Sequence, residues 1–375
     1  MSKKEVIVKR YPQLYFVVVG LALFAMFFGS GNLIFPLYLA QVTGGDWLWA
    51  FAGFAATAVV MPLLAVFAIV LYKGDYVHFF SHLGKIPALL IPLALLTVWI
   101  PLGSGPRCTA LAYASMLPYV ESPIPLWAFS IMYSVGVFWM VWRKSAILDI
   151  LGFVLTPLLL VSLALIIFQG VSFSALDATF NAKGDVVLRG LMEGYNTMDL
   201  IAAFFFSASI VKMLQSNNED ESKSLSTTLK ASFVAAGLLG IVYFGLICLS
   251  VSHSATLQSV PKEQLFVQVA KMVLGSQLGI VAAIAVFSAC LTTSMALASV
   301  YAEFLADRLF GDSSKYHLCL IGTQVITFAM SITGLEGITF VTEPLLQILY
   351  PFLLVLIVYN LGRKFFVKET NVVAV

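Results

Sequence analysis

The 375-residue sequence predicts an all-α polytopic membrane protein of about ten transmembrane helices, divided five and five as an inverted repeat, with helices 1 and 6 broken. Three observations carry this. The composition is 60% hydrophobic and only 11% charged, with a mean hydropathy of +0.97. Soluble domains hold about 25% charged residues, and a soluble core cannot absorb so much apolar sequence. Ten apolar runs are long enough to cross a bilayer. The first of them carries Gly29, Gly31, Asn32 and Pro36 at mid-depth, where hydrocarbon offers an opened backbone no partner.

The runs lie near 14–41, 46–72, 87–118, 123–142, 146–169, 194–214, 227–252, 274–302, 316–335 and 338–362. Several exceed the bilayer thickness, which predicts tilted or broken helices. The basic N-terminus precedes a run about twice the length of a signal-peptide core, which reads as a retained first span. With the N-terminus inside, sixteen Lys and Arg residues fall on the cytoplasmic side and four outside, while Arg107 lies within a span. That bias places both termini in the cytoplasm.

Ten spans form one domain of two repeats, about 14–169 and 194–362. An odd number of spans per half makes the second half enter the membrane in the opposite sense. The paired break then falls at Glu193–Asp199, a polar, glycine-containing start to span six. Residues 170–193 read as a polar outer loop and Ser216–Lys230 as a polar cytoplasmic connector. Within 253–273, Leu265, Phe266, Val269 and Met272 follow a helical spacing, as either a short amphipathic helix over the outer mouth or an ordinary surface helix.

Other chemistries find little support. The net charge of +2 and the lack of basic runs interleaved with aromatics exclude nucleic acid as a partner. There is no phosphate-binding Gly-x-x-x-x-Gly-Lys-Ser/Thr loop and no nucleophile–base arrangement, so neither ATP-driven transport nor an enzyme is expected, and no catalytic residue or cofactor is assigned. Cys108, Cys248, Cys290 and Cys319 lie in apolar segments and read as small buried hydrophobes. His78 and His82 stand four apart without a third ligand.

The break in span one points instead to a coupled solute carrier. An opened helix presents N–H groups that suit a carboxylate and C=O groups that suit a small cation. Gly29 and Gly31 also fit close helix packing, but Asn32 and Pro36 beside them fit an unwound segment better. In span eight, Ala289-Cys290-Leu291-Thr292-Thr293-Ser294 sets consecutive hydroxyls in an apolar helix. Such hydroxyls either bond back to the preceding turn or supply neutral oxygens to a hard cation, together with carbonyls released in span one.

Charged residues within spans are candidates by default. Arg107, after Gly103-Ser104-Gly105-Pro106, either attracts an anionic solute or braces the bundle. Asp199 either caps freed N–H groups or meets a substrate amine. Glu343 starts span ten and Asp149 lies near the cytoplasmic face. Tyr113 and Tyr195 either face the centre or pack as interface anchors.

GNLIFP in span one, Gly105-Pro106-Arg107 in span three, Gly194 to Asp199 in span six and Leu345 to Pro351 in span ten resemble, in order, the landmarks of the branched-chain amino acid:cation symporters. These are the bacterial branched-chain amino acid transport system II carriers, within the amino acid–polyamine–organocation superfamily. The likeness covers about residues 11 to 362 and implies the sodium-coupled five-plus-five fold in the bacterial cytoplasmic (inner) membrane.

By that likeness, Ser30 and Gly31 N–H groups would hold the substrate carboxylate. Carbonyls of Ala25, Phe28 and Ala289, with the hydroxyls of Thr292 and Thr293, would hold Na⁺. Tyr195, Asn196, Thr197 and Met198 would border the amino acid, with Asn32 and Tyr113 in the same substrate group and Asn32 alternatively at a second cation site. Gly29, Pro36, Arg107 and Asp199 would serve structure or gating. The implied function is import of Leu, Ile or Val with transported Na⁺ or H⁺. A carrier of another small solute is the alternative, and a passive channel is a further one. Family members usually have about twelve spans, against ten here, which leaves the oligomeric state open.

Overall fold

The computed structural model describes residues 15–142, 160–171, 184–216 and 221–366. The regular structure of these residues is helical. α1 (Tyr15–Phe27) and α2 (Ser30–Thr43) meet at an angle of 72°. There follow α3 (Trp47–Leu71), α4 (Tyr76–Ser81), α5 (Lys85–Tyr119), α6 (Leu126–Trp142) and α7 (Leu160–Val171). The second half holds α8 (Val186–Asn196), α9 (Asp199–Ser216), α10 (Glu221–Ser252) and the short α11 (Ser254–Leu257). α12 (Leu265–Phe304), α13 (Tyr316–Ser331) and α14 (Gly334–Phe366) complete it.

Among the described residues, six helical stretches are long and apolar enough to cross a membrane, and α1 with α2 makes a seventh. They are α3, α5, α8 with α9, α10, the part of α12 from Leu278 onward, and α14. α6 and α7 are shorter apolar helices. Most of the run expected at 146–169 lies outside the described residues, as do Asp149, the N-terminal basic cluster and half of the loop at 170–193.

Several boundaries differ from the hydropathy reading, each for a local reason. The expected polar stretch before span six is α8, because Asp185 caps it by accepting from Val187 N (3.0 Å) and Leu188 N (3.1 Å). α10 begins at Glu221 rather than near 227, since its first turns are polar residues that a helix tolerates outside hydrocarbon. Glu343 lies well inside α14, half-buried, not at its start. In the first part of α12, Leu265, Phe266 and Val269 are buried while Met272 is exposed. Gly275, at φ 76°, then bends the chain into the long segment, a conformation that costs glycine little.

In lipid, helices associate through close packing rather than hydrophobic burial. The α3–α8 interface shows this. A Cβ on Gly190 would fall 2.0 Å from Ala50 O, and one on Gly194 would fall 1.9 Å from Thr57 Oγ1. Gly53 faces Val187 O in the same way. Thr57 Oγ1, in a π-helical turn of α3 (Ala56–Val60), donates to Leu191 O at 3.1 Å. This contact places the end of α8 at the middle of the molecule. Phe79 packs edge-to-face on Phe80 and on Phe204 of α9, and Phe80 lies tilted against Phe204, with centroids 5.0 to 5.5 Å apart.

Replacing Gly194 with Ala should destabilise the protein by about 1–3 kcal/mol through overpacking. Gly240→Ala, where no atom lies within 4 Å of the added methyl, should be neutral or slightly stabilising. Thermal unfolding in detergent reads both; equal melting temperatures would exclude the close α3–α8 seam.

Candidate functional site

The end of α1 shows how the chain opens. Phe28 N still donates to Phe24 O at 2.8 Å. Gly29 N instead turns to Asn32 Oδ1 at 2.8 Å, in extended backbone at φ −112° and ψ −167°. Ala25 O therefore loses its usual donor four residues on. Asn32 does what Glu or Gln does three residues past a helix cap, and α2 restarts at Ser30. The N–H groups of Ser30 and Gly31 belong to the unpaired first turn at the positive end of α2. Pro36, buried in α2, donates nothing back to Asn32 O.

A second interruption separates α8 from α9. Thr197 Oγ1 donates to Gly194 O at 2.8 Å, and Met198 takes φ 65°. A left-handed non-glycine residue is costly and must be held by its surroundings. Met198 is fully buried, its sulfur within 3.7 Å of Ser104 Oγ. The two interruptions touch: a Cβ on Gly31 would lie 3.2 Å from Thr197 O and 3.3 Å from Thr197 Cα.

Three buried side chains join them. Asn32 Nδ2 donates to Asp199 Oδ1 at 2.8 Å. Tyr243 OH donates to Asp199 Oδ2 and receives a bond from Asn32 Nδ2. Asp199, 1% exposed, has no ion pair among the described residues. Arg107, also 1% exposed, is a brace: Nη1 donates to Asn196 O, Nη2 to Thr342 Oγ1 at 2.9 Å, and the guanidinium lies 5.0 Å from the Phe35 ring centre. Tyr195 packs on Tyr350, centroids 4.8 Å apart.

α12 faces the first break. Thr292 Oγ1 bonds back to Ala289 O at 2.9 Å. Thr293, Ala289 and Cys290 line a cavity of about 10 Å³ with Phe28, Gly29, Ser30 and Leu33, about the space one water needs. Its walls supply neutral oxygens of the kind hard cations prefer. Among the described residues, no three His, Cys, Asp or Glu side chains gather as a metal site.

The fold thus brings Phe28 to Asn32, Thr197, Asp199, Ala289 and Thr293 into one neighbourhood, with Asn196, Met198 and Arg107 packed beside it. It does not bring Tyr113 there. The Tyr113 hydroxyl donates to Ile124 O at 2.9 Å, and the ring lines a separate apolar cavity of about 480 Å³ beside α6. Tyr113 sits near the C-terminal end of α5, toward the α5–α6 connection, which a count of residues along the span does not reveal.

A family model described as branched-chain amino acid transport protein matches residues 13–375. The chain belongs to that family. It is 30% identical over 369 residues to the branched-chain amino acid permease BrnQ of Corynebacterium glutamicum, covering 96% of this chain and 82% of the relative. It is 28% identical over 375 residues to the permease BraB of Bacillus subtilis, covering 95% and 82%. Among solved structures it resembles inward-facing Mhp1, with TM-score 0.64 at 15% identity over 94% of this chain and 77% of the other. It also resembles MhsT in complex with L-phenylalanine, with TM-score 0.56 at 16% identity over 94% and 89%. These likenesses show the fold. The family and its structural neighbours are transporters, and this member is a multi-pass membrane protein.

Tyr243 is the site residue that sequence reasoning missed in this family member. It sits alone among apolar residues of α10, and only its three-dimensional partners mark it. Tyr243→Phe should cost about 1–3 kcal/mol, since it leaves buried acceptors short of a donor. Tyr359→Phe, at an exposed position, should cost nearly nothing. Equal unfolding midpoints in detergent would exclude the Asn32–Asp199–Tyr243 network.

Proposed function

We propose that the protein is a secondary active importer of leucine, isoleucine and valine, coupled to an inward gradient of Na⁺ or H⁺ by alternating access. It would act in the bacterial cytoplasmic membrane with both termini inside, as ten spans in two inverted repeats, about 14–169 and 194–362. The observation that carries the reading is the meeting of two interrupted helices at Gly31 and Thr197, beside an oxygen-lined cavity.

In this proposal the N–H groups of Ser30 and Gly31 take the substrate carboxylate at the positive end of α2. Tyr195, Asn196, Thr197 and Met198 border the solute, and Asn32 orders the carboxylate turn. Ala25 and Phe28 carbonyls, Ala289 O and the Thr292 and Thr293 hydroxyls serve Na⁺. The cation and the solute then share one break, so each stabilises the geometry the other needs, a coupling of about 1–3 kcal/mol.

The polar residues at the second break do not argue for a polar solute. Asn196 Nδ2 donates to Glu193 Oε2 at 3.3 Å, its carbonyl receives Arg107, and the Thr197 hydroxyl bonds Gly194 O. An apolar side chain remains the better match. Each buried methylene is worth about 0.8 kcal/mol, so the branched-chain amino acids should be separated only weakly from one another.

Radiolabelled leucine uptake into vesicles, with Na⁺ and proton gradients imposed separately, tests the function. Uptake should rise with one of the two gradients and saturate; flux without saturation or gradient dependence would favour a channel. Gly31→Leu should abolish uptake while the protein still inserts, and normal transport by that variant would remove the carboxylate assignment. Thr293→Ala should weaken Na⁺ activation more than Thr292→Ala, whose hydroxyl is already paired with Ala289 O. Unchanged Na⁺ activation in both would remove the cation site.

A further inference from the structure

The apolar cavity of about 480 Å³ that Tyr113 lines takes no part in the site at the two breaks. Its shape is set by α6. Phe129, Met132, Tyr133, Gly136 and Met140 line it and follow one another on a single helix face. From Phe129 to Met140 that face runs about 16 Å at the α-helical rise. Spread along this length, the volume leaves a mean cross-section of about 30 Å², room for one polymethylene chain but not for two abreast. Phe287 of α12 meets Phe129 and Tyr133 edge-to-face, centroids 6.4 and 6.2 Å apart, and walls the groove together with Leu291. A Cβ on Gly136 would find no atom within 4 Å, so space is open along the helix at its middle.

The chemistry of the lining excludes a polar ligand. The Tyr113 hydroxyl already donates to Ile124 O at 2.9 Å, and Tyr133 OH already pairs with Ser294 Oγ at 3.0 Å. The remaining polar residue of the lining, Ser122, stands at the α5–α6 connection. Along its length the groove opens on the outside of the molecule, where Met132 is 66% exposed and Ile131, Val135 and Trp139 of the same helix are exposed beside it. In a multi-pass membrane protein the medium along such an apolar helix is acyl chain. Charges of both signs gather only toward the α5–α6 connection: Lys271 Nζ lies 5.9 Å from the Tyr119 ring centre, and Glu121 is exposed two residues on.

We propose that this groove binds one acyl chain of a membrane phospholipid, laid along α6 between α5 and α12, with the headgroup at the Lys271 and Glu121 end. The chain packs on Leu291, the residue before Thr292, and on Tyr133, whose hydroxyl holds Ser294. It therefore braces α12 where that helix faces the first break.

The full-length chain in phosphatidylethanolamine vesicles, with a trace of the same lipid bearing a diazirine midway along one acyl chain, tests this by irradiation and peptide mapping. Label should concentrate on the Met132–Met140 and Phe287–Leu291 peptides, above that on the exposed face of α13 at Leu318, Ile321 and Val325. Gly136→Trp should cut the groove label about tenfold, the loss expected when two methylenes are excluded. Gly322→Trp on α13, where an added Cβ also meets nothing within 4 Å, should leave it unchanged. Label spread evenly over all exposed helices of the native chain would overturn the site, as would groove label that survives Gly136→Trp. Absence of groove label, as when a second copy or another segment of the chain fills the groove, would overturn it too. Diazirine-bearing palmitic acid that labels the groove in preference to the phospholipid would overturn the headgroup assignment. The labelling needs no solute, so its failure leaves the proposed function standing.

Discussion

The structure depends on how one buried carboxylate is satisfied. Asp199 is shut away from water and meets no cation among the described residues, so its oxygens must find donors nearby. Asn32 and Tyr243 provide them. Asn32 has a second duty: its Oδ1 accepts from Gly29 N and so closes the end of the opened helix. One amide side chain therefore fixes the first break with its oxygen and the second with its nitrogen. An aspartate at position 32 would keep the cap and lose the donor. An aliphatic residue would lose both.

This arrangement explains why two interrupted helices survive inside a hydrophobic molecule. Irregular backbone at membrane depth is tolerated only where protein surrounds it. Here several of the groups at the two breaks face specific neighbours. The carbonyl of Asn196 faces Arg107, and Thr197 packs on Gly31. Met198 is held left-handed by the surface that Gly103 leaves open, since a Cβ there would meet the Met198 methyl at 2.5 Å. The glycines of α8 set the height of the second break by pressing that helix onto α3. Gln41 and Ser250 anchor the far half of α2, through Leu257 O at 2.5 Å and Leu37 O at 2.7 Å.

Sequence made the first break legible because its causes are local: two glycines, an asparagine and a proline within eight residues. The turn at Thr197–Met198 lies inside the polar stretch Glu193–Asp199, but the helix that leads into it is not legible, because hydropathy is blind to a well-capped amphipathic helix. Sequence alone leaves Arg107 open between bracing and attracting an anion, and its bonds to Asn196 O and Thr342 Oγ1 are visible only in the fold. Long-range pairing is what no window of sequence contains. Tyr243 is 211 residues from Asn32. Thr292 and Thr293 look alike in sequence, yet a rotation of about 100° along the helix sends one hydroxyl to Ala289 O and sets the other residue at the cavity wall.

The size of that cavity constrains how a solute is admitted. About 10 Å³ holds something like a water or a bare cation, not a branched side chain. Under the proposed function, a leucine reaching the N–H groups of Ser30 and Gly31 would have to part surfaces that are in contact here. The contacts differ in what parting them costs. Between α2 and α9 lie charge-assisted hydrogen bonds at Asp199, which are strong and leave an uncompensated carboxylate if broken. Between the break and α12 lie the Thr293 methyl, the Cys290 thiol and an unpaired Ser30 hydroxyl, which lose little on separation. The weaker seam is the one toward α12, and it runs directly past the hydroxyls proposed for the cation. A cation that bridges this seam would hold it in the geometry that receives the carboxylate. That is the physical content of coupling in a site whose other side is already locked by Asn32.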